Sequence, residues 1–284
     1  MLQFRNSTQV LAIIGHPVGH SLSPAMHNAA IAALGLDYIY IAFDVPHEQL
    51  SSSISGMRAL GVAGFNVTIP HKVEVIEHLD DIEENARAAG AVNTVKNIDG
   101  KLVGFNTDGD GFIKSLADDL GYFPDSGTIA VIGAGGAARG AIAALCRAGA
   151  KRIVITNRSR ENGEELARLM RKQYGSVEIT TTGFAAELKT FMGEVSLVVN
   201  ATSLGMNNEI IPHVDLKELP SGAKIYDMVY SVPVTPLLSD AAKLGLKCAN
   251  GLGMLSAQGE RSFRIWTGME PPQGLMKSVL MGNI

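Results

Sequence analysis

Residues 128–149 read TIAVIGAGGAARGAIAALCRAG. An apolar run, Thr128–Ile132, enters Gly133-Ala134-Gly135-Gly136-Ala137-Ala138, and an Ala- and Leu-rich stretch then continues to Gly149. A buried strand that turns through glycines into a helix is the setting in which a G-x-G-x-x-A spacing holds a dinucleotide. Gly133 permits the tight turn, Gly135 lets the backbone approach a pyrophosphate, and Ala138 lets the helix pack closely. The helix start adds N–H groups and the positive end of its dipole. About 20 residues further on, sheets that bind NAD place Asp or Glu to accept from the ribose 2′-OH. This chain instead has ITNRSREN, with Asn157, Arg158, Ser159 and Arg160 and no carboxylate at the strand tip. Arg158 can fork onto a 2′-phosphate through charge-assisted bonds. NADP is therefore expected rather than NAD.

Outward from this stretch, short apolar runs alternate with helical patterns. Strands are predicted at Arg152–Thr156, Val177–Thr180, Val195–Asn200 and Ile225–Val229 on one side, and at Val10–Ile14, Tyr38–Phe43 and Val62–Val67 on the other. Helices are predicted from Pro24, Pro46 and Pro70, each with proline at or near the first helical position, where a missing N–H costs nothing. Ser23 would cap the first of them. Strand–helix–strand repetition implies parallel pairing with helices on the faces. Asn97-Ile98-Asp99-Gly100 signals a turn between Ala91–Val95 and Leu102–Phe105, and a helix starts near Asp108. With 284 residues, about two domains are expected. The fold class is α/β in two lobes, changing over near Phe105–Gly121.

Composition narrows the functional classes. Hydrophobic residues make up 46% and charged residues 18%, enough for a sizeable core in a globular protein. A net charge of −4 gives no electrostatic footprint for nucleic acid or an anionic membrane. The charges are scattered, and the cluster Asp80-Asp81, Glu83-Glu84 suggests a solvated helix face. No segment approaches the ~20 apolar residues of a membrane span, and Val10–Ile14 is shorter than the ~7–15 residues of a signal-peptide core. Cys146 and Cys248 lack His or Cys at ligand spacing, which implies free thiols in a reducing compartment, the cytoplasm.

Candidate chemistry in the first lobe lies at predicted strand ends, where open α/β sheets bind ligands. GHPVGHSLSP (15–24) carries Ser21 and Ser23, two hydroxyls that can face one anionic or carbonyl group. GFNVTIPHK (64–72) carries Thr68 and Lys72, AVNTV (91–95) carries Asn93, and GFNTDGDG (104–111) carries Asp108. Hydroxyl, amide, ammonium and carboxylate groups from four loops suit a small polyhydroxylated acid. No Cys/His cluster points to catalytic zinc, so alcohol oxidation would need an organic acid–base pair: Lys72, held by Asp108. His16, His20, His27 and His71 are expected to pack or orient loops, Met254, Met269, Met276 and Met281 to fill core, and Trp266 to pack. Asn200-Ala201-Thr202-Ser203 would form a wall beside the cofactor.

GHPVGHSLSPAMHNAA, GFNVTIPHK, GAVNTV, G-x-NTD-x-x-G, GAGGAAR, TNR, NATSLGM and GLGMLSAQG, in this order, resemble the shikimate dehydrogenase family from about Ile13 to the C-terminal helix. The resemblance implies reversible NADPH-dependent reduction of 3-dehydroshikimate to shikimate, a step of aromatic amino-acid and chorismate biosynthesis. It implies Ser21, Ser23 and Tyr230 on the substrate carboxylate, and Thr68, Lys72, Asn93, Asp108 and Gln258 on the ring hydroxyls, with Lys72 transferring the proton. On the cofactor side it implies Gly133, Ala134, Gly135, Gly136, Ala137, Asn157, Arg158, Ser159, Arg160, Met228 and Gly251, and no metal. It also implies a discontinuous substrate domain, 1–108 with 252–284, around a Rossmann-type NADP domain, 109–251, in a monomer or homodimer. Two alternatives differ in their demands. A quinate/shikimate dehydrogenase using NAD would want an acid where Arg158 stands, and a non-catalytic sensor would not need Lys72 and Asp108.

Overall fold

Apolar runs this short, broken by Gly, Pro and Asn, cannot build long helices; they form two six-stranded sheets instead. The computed structural model describes residues 5–125, 127–183, 186–212 and 214–283. The chain divides into two compact units, Met1–Gly111 with Leu255–Asn283, and Phe112–Met254.

In the first unit the sheet comprises β1 (Gln9–Gly15), β2 (Tyr38–Asp44), β3 (Gly64–Val67), β4 (Asp81–Ile82), β5 (Thr94–Ile98) and β6 (Lys101–Phe105), in the order β2-β1-β3-β5-β6-β4. β1 pairs parallel with β2 and β3, whereas β5 runs antiparallel to both β3 and β6. The sheet is therefore mixed, and the expected parallel pairing is confined to β1 with its neighbours and the short β4–β6 contact. The β5–β6 hairpin turns through Asp99 (φ 51°) and Gly100 (φ 87°), the left-handed pair that a primed two-residue turn requires. Helices α1 (Ser23–Ala33), α2 (Leu50–Ala59) and α3 (Glu84–Ala89) flank it. Further along the chain come α4 (Asp108–Ser115), α9 (Leu252–Thr267) and α10 (Leu275–Met281). The tail returns to this unit as the resemblance implied: α10 packs on α1, and α9 reaches β3 and β5 through Ser262 and Trp266.

The second unit is wound from β7 (Thr128–Ile132), α5 (Gly136–Arg147), β8 (Arg152–Thr156), α6 (Arg160–Gln173), β9 (Glu178–Thr182), α7 (Ala186–Met192), β10 (Val195–Asn200), β11 (Lys224–Asp227), α8 (Pro236–Lys243) and β12 (Lys247–Asn250). Every pairing is parallel, in the order β9-β8-β7-β10-β11-β12. This is the doubly wound dinucleotide-binding topology, and the strand order reverses between β7 and β10. Successive β7 side chains alternate between two cores. Ile129 and Val131 join Ile142, Leu145 and Leu166, while Ala130 and Ile132 join Ile211, Ile225 and Leu238. Helices on both faces explain why these strands are continuous apolar runs.

Several local expectations give way to tertiary contacts. No α-helix starts at Pro70. The Lys72 carbonyl is turned toward the chain before β5, where it accepts from Val92 N–H at 2.8 Å, and only a 3₁₀ turn, Glu74–His78, follows. Pro46 precedes a 3₁₀ turn, His47–Gln49, that leads into α2. Ser23 is not the cap of α1: Leu22 holds that position, and the Ser21 hydroxyl accepts from Ser23 N–H instead. Asp81 lies on β4 and not on a helix, and Glu83 caps α3 through Asn85 N–H. β12 has no counterpart among the predicted strands because Lys247–Asn250 is a half-exposed edge with no apolar run. Among the described residues no helix is long and apolar enough to cross a membrane.

His27 packs as expected, and its burial has a thermodynamic consequence. The ring stacks on Tyr40 at 4.4 Å and lies 6.2 Å from Phe263, and both ring nitrogens are buried without a partner. Burial lowers its pKa from 6.5 to about 3. Between these values the unfolded chain binds a proton that the native state does not, so stability rises with pH across the window and is lost as pH falls below 6.5. The expected slope from this residue is about 1.4 kcal/mol per pH unit. Denaturant titrations of the parent and a His27→Phe variant at a series of pH values check it. Stability–pH slopes that coincide in the two proteins would remove His27 as the cause.

Candidate active site

In the first unit, Lys72 follows β3 and its Nζ donates to Asp108 Oδ2 at 2.6 Å. Asp108 opens α4, which aims its carboxylate at the loop carrying the lysine. The other oxygen, Oδ1, accepts from Asn93 Nδ2 at 2.9 Å, so the carboxylate is gripped from both sides. Asn93 is in turn fixed: its Oδ1 accepts from Thr107 N–H at 2.7 Å, and its Nδ2 also faces Thr107 Oγ1 and Gln258 Oε1. Gln258 reaches this point from α9, its own Nε2 donating to the Leu255 carbonyl at 2.8 Å. The pair is shielded but not sealed, with the Lys72 side chain 29% and that of Asp108 20% exposed. Charges held this way keep their geometry and can still reach a ligand.

Four predicted residues thus meet in one hydrogen-bonded cluster: Lys72, Asn93, Asp108 and Gln258. Thr68 lies at the end of β3, half-buried, its N–H donating to the Ile14 carbonyl. Ser21 and Ser23 join each other through the 3.3 Å bond at the start of α1, with Ser23 buried. Tyr230 belongs to the second unit, half-buried after β11. Behind the cluster stands a layer that the sequence reading leaves without a role: Tyr40, Asn66, Thr94, Thr107 and Ser262. Thr107 Oγ1 lies 3.1 Å from Ser262 Oγ, Ser262 lies 2.8 Å from Thr94, and Asn66 accepts from the Tyr40 hydroxyl at 2.7 Å. All are buried, so their polar groups must satisfy one another. A polar residue in a strand with no exposed face, such as Asn66 in β3, is the signal that could have found them.

In the second unit, the predicted loop lies at the strand-order reversal. Gly133 has φ 113°, and a Cβ there would sit 2.9 Å from Thr202 Cγ2 on the loop after β10. A Cβ on Gly135 or Gly136 would meet nothing within 4 Å, and Gly135, Gly136 and Ala137 are exposed. Among the described residues no side chain caps α5, whereas Ser159 caps α6 and Thr235 caps α8. The start of α5 is thus uncapped and exposed at 135–137, the kind of helix N-terminus that can receive a pyrophosphate. Asn157, Arg158, Ser159 and Arg160 follow β8. Asn157 Nδ2 donates to the Ser159 carbonyl at 2.8 Å and shapes the turn, while Arg158 and Arg160 stand exposed. The donor set fits a phosphorylated dinucleotide: open glycine backbone, an uncapped helix start and cations at the next strand tip.

Met228 and Gly251 also meet, since a Cβ on Gly251 would lie 2.3 Å from the Met228 carbonyl oxygen. Holding Met228 is Asp227, fully buried and absent from the predicted site. Its Oδ1 accepts from Asn200 Nδ2 and Val229 N–H, and its Oδ2 accepts from Thr235 Oγ1. Burial raises this carboxyl's pKa, offset in part by those three bonds. The network ties the ends of β10 and β11, and with them the expected wall, where Asn200 Oδ1 accepts from both Thr202 N–H and Oγ1.

Comparison with known proteins agrees across the chain. Residues 13–95 match the model of the shikimate dehydrogenase substrate-binding domain, 117–233 that of shikimate/quinate 5-dehydrogenase, and 251–281 that of the shikimate 5-dehydrogenase C-terminal domain. The chain is 50% identical over 281 residues to shikimate dehydrogenase (NADP+) of Geobacter metallireducens, covering 97% of both chains. Among solved structures, a shikimate dehydrogenase in complex with NADP+ superposes with a TM-score of 0.91 at 40% identity, covering 99% of this chain and 98% of that one. The Thermus thermophilus shikimate 5-dehydrogenase with NADP(H) and shikimate gives 0.85 at 35% identity, covering 97% and 100%.

Proposed function

This chain belongs to the shikimate dehydrogenase family, and we propose that its own residues divide that reaction into a proton-handling unit and a cofactor-holding unit. It is an NADP-dependent oxidoreductase acting on a CH–OH group, interconverting 3-dehydroshikimate and shikimate. NADPH, when bound, supplies the hydride. Lys72 Nζ gives a proton to the keto oxygen as it becomes a hydroxyl and recovers it in the reverse direction. Asp108 Oδ2 holds the ammonium in place, and Asn93 holds Asp108. Thr68, Asn93 and Gln258 orient the ring hydroxyls, while Ser21, Ser23 and Tyr230 take the carboxylate. Residues 1–108 with 252–284 serve as the substrate domain and 109–251 as the NADP domain. The glycine loop 133–137 and the open start of α5 receive the pyrophosphate, Asn157–Arg160 the 2′-phosphate, and Met228 and Gly251 the nicotinamide side.

The observation that carries this assignment is the gripped Lys72–Asp108 pair, an acid–base couple fixed from β3, α4 and α9 at once. Two free cysteines fit the reducing cytoplasm. Steady-state kinetics with shikimate or quinate, each with NADP and with NAD, tests the function. Shikimate with NADP is expected to give the highest kcat/KM by at least about tenfold, the weight of one charged hydrogen bond to the 2′-phosphate. Equal or better turnover of quinate with NAD would overturn it.

A further inference from the structure

Next to Lys72, three side chains converge that take no part in the proton path. His71 is fully buried, and its Nε2 lies 2.7 Å from the Val45 carbonyl oxygen. A carbonyl oxygen can only accept, so Nε2 carries a proton, and in the neutral ring Nδ1 keeps the lone pair. That Nδ1 is buried and has no hydrogen-bond partner among the described residues. One ligand-type atom from each of His47, His71 and Glu74 lies within 4.8 Å of the other two, and His47 Nδ1 stands 3.0 Å from Glu74 Oε2. His47 opens one 3₁₀ turn and Glu74 opens the other, with His71 in the loop before the second.

An imidazole that donates one N–H to a backbone carbonyl and presents its other nitrogen is the usual arrangement of a metal-binding histidine. We propose that His47, His71 and Glu74 form an accessory site for a borderline divalent cation of the Zn²⁺ class, separate from the NADP chemistry. Two imidazoles and one carboxylate are a donor set that zinc accepts while keeping a fourth position for water. Mg²⁺ and Ca²⁺ want oxygen ligands throughout and are disfavoured here. Tetrahedral ligands at about 2.0–2.2 Å from one ion stand about 3.3–3.6 Å apart, so a set lying within 4.8 Å closes by no more than about 1.5 Å. The freedom to do so is on the right residues. The His47 side chain is 69% exposed and that of Glu74 38%, so both can close on a His71 that packing holds still. A cation there would pin the 68–75 loop, and Lys72 within it, to the turn after β2.

Titration of the chelator-stripped full chain with Co²⁺, a zinc substitute with visible d–d absorption, tests the site. One equivalent is expected to bind and to be displaced by Zn²⁺. His47→Ala and Glu74→Gln should each weaken Co²⁺ binding by at least about tenfold, since a lost ligand costs no less than the 10–100-fold of a lost outer partner. Zn²⁺ should raise Tm of the parent and not of His47→Ala. His47 is exposed and Glu74 half-buried, and unchanged activity of the metal-free variants serves as the fold control. Parent-like Co²⁺ affinity in both variants, or neither a spectral nor a Tm response to millimolar cation, overturns the site.

Discussion

Lys72→Met is expected to lower kcat by roughly 10²–10⁴, the range for loss of a positioned general acid–base. Hydride transfer to a ketone leaves an alkoxide unless a proton arrives with it, and Lys72 Nζ, the proposed donor, is held by Asp108 at 2.6 Å. Methionine keeps the length and apolar stem of the lysine but carries no proton. The rest of the cluster should survive the change, because Asn93 Nδ2 still donates to Asp108 Oδ1 and Gln258 still braces Asn93. Substrate affinity should accordingly move far less than kcat. Ser23→Ala supplies the contrast: on the proposed assignment it removes a carboxylate contact and should raise KM more than it lowers kcat. Steady-state kinetics of the two variants in parallel separates the roles. Near-normal kcat with a much raised KM in Lys72→Met would show that Lys72 only binds, and Asp108 would become the first candidate for the proton carrier.

Arg158→Ala should weaken NADP binding by about tenfold to hundredfold and leave NAD almost untouched. A hydrogen bond to a charged group contributes roughly 1.5–3 kcal/mol, and only the 2′-phosphate distinguishes the two cofactors. Arg158 is exposed at the tip after β8, so its removal disturbs little else; surface substitutions usually stay within about 0.5 kcal/mol. Fluorescence titration with each reduced cofactor measures the ratio directly. Equal losses for both would take Arg158 out of the phosphate site and shift attention to Arg160.

How far each half of the molecule can be read in advance follows from where its contacts lie along the chain. The nucleotide-binding unit is legible because its signals are local. β7, the glycine turn and α5 are contiguous, both faces of β7 are apolar because helices cover both, and the missing acid after β8 sits on the next strand. Strand ends in that unit fall within two residues of expectation, apart from the half-exposed β12. In the first unit the residue types at strand ends are visible, but their grouping comes from family resemblance and not from spacing. Local rules fail there in specific ways: proline at position 70 promises a helix, and Ser23 a cap. The Lys72 carbonyl is drawn to Val92 N–H, and α1 already begins at Ser23, whose own N–H donates to the Ser21 hydroxyl.

By itself, then, the sequence determined the alternating elements, the dinucleotide turn and the chemical character of each loop, since propensity, periodicity and turn residues act over a few positions. Tertiary structure decided the contacts themselves: Lys72 donates to Asp108 across 36 residues, Asn93 to Gln258 across 165, and Asn200 to Asp227, a residue the sequence reading did not single out. Such bonds leave no period in the chain. They form only once the apolar faces of β3, β5 and α9 have packed and closed the long loops between them, when buried amides, hydroxyls and carboxylates have nothing but each other to satisfy them.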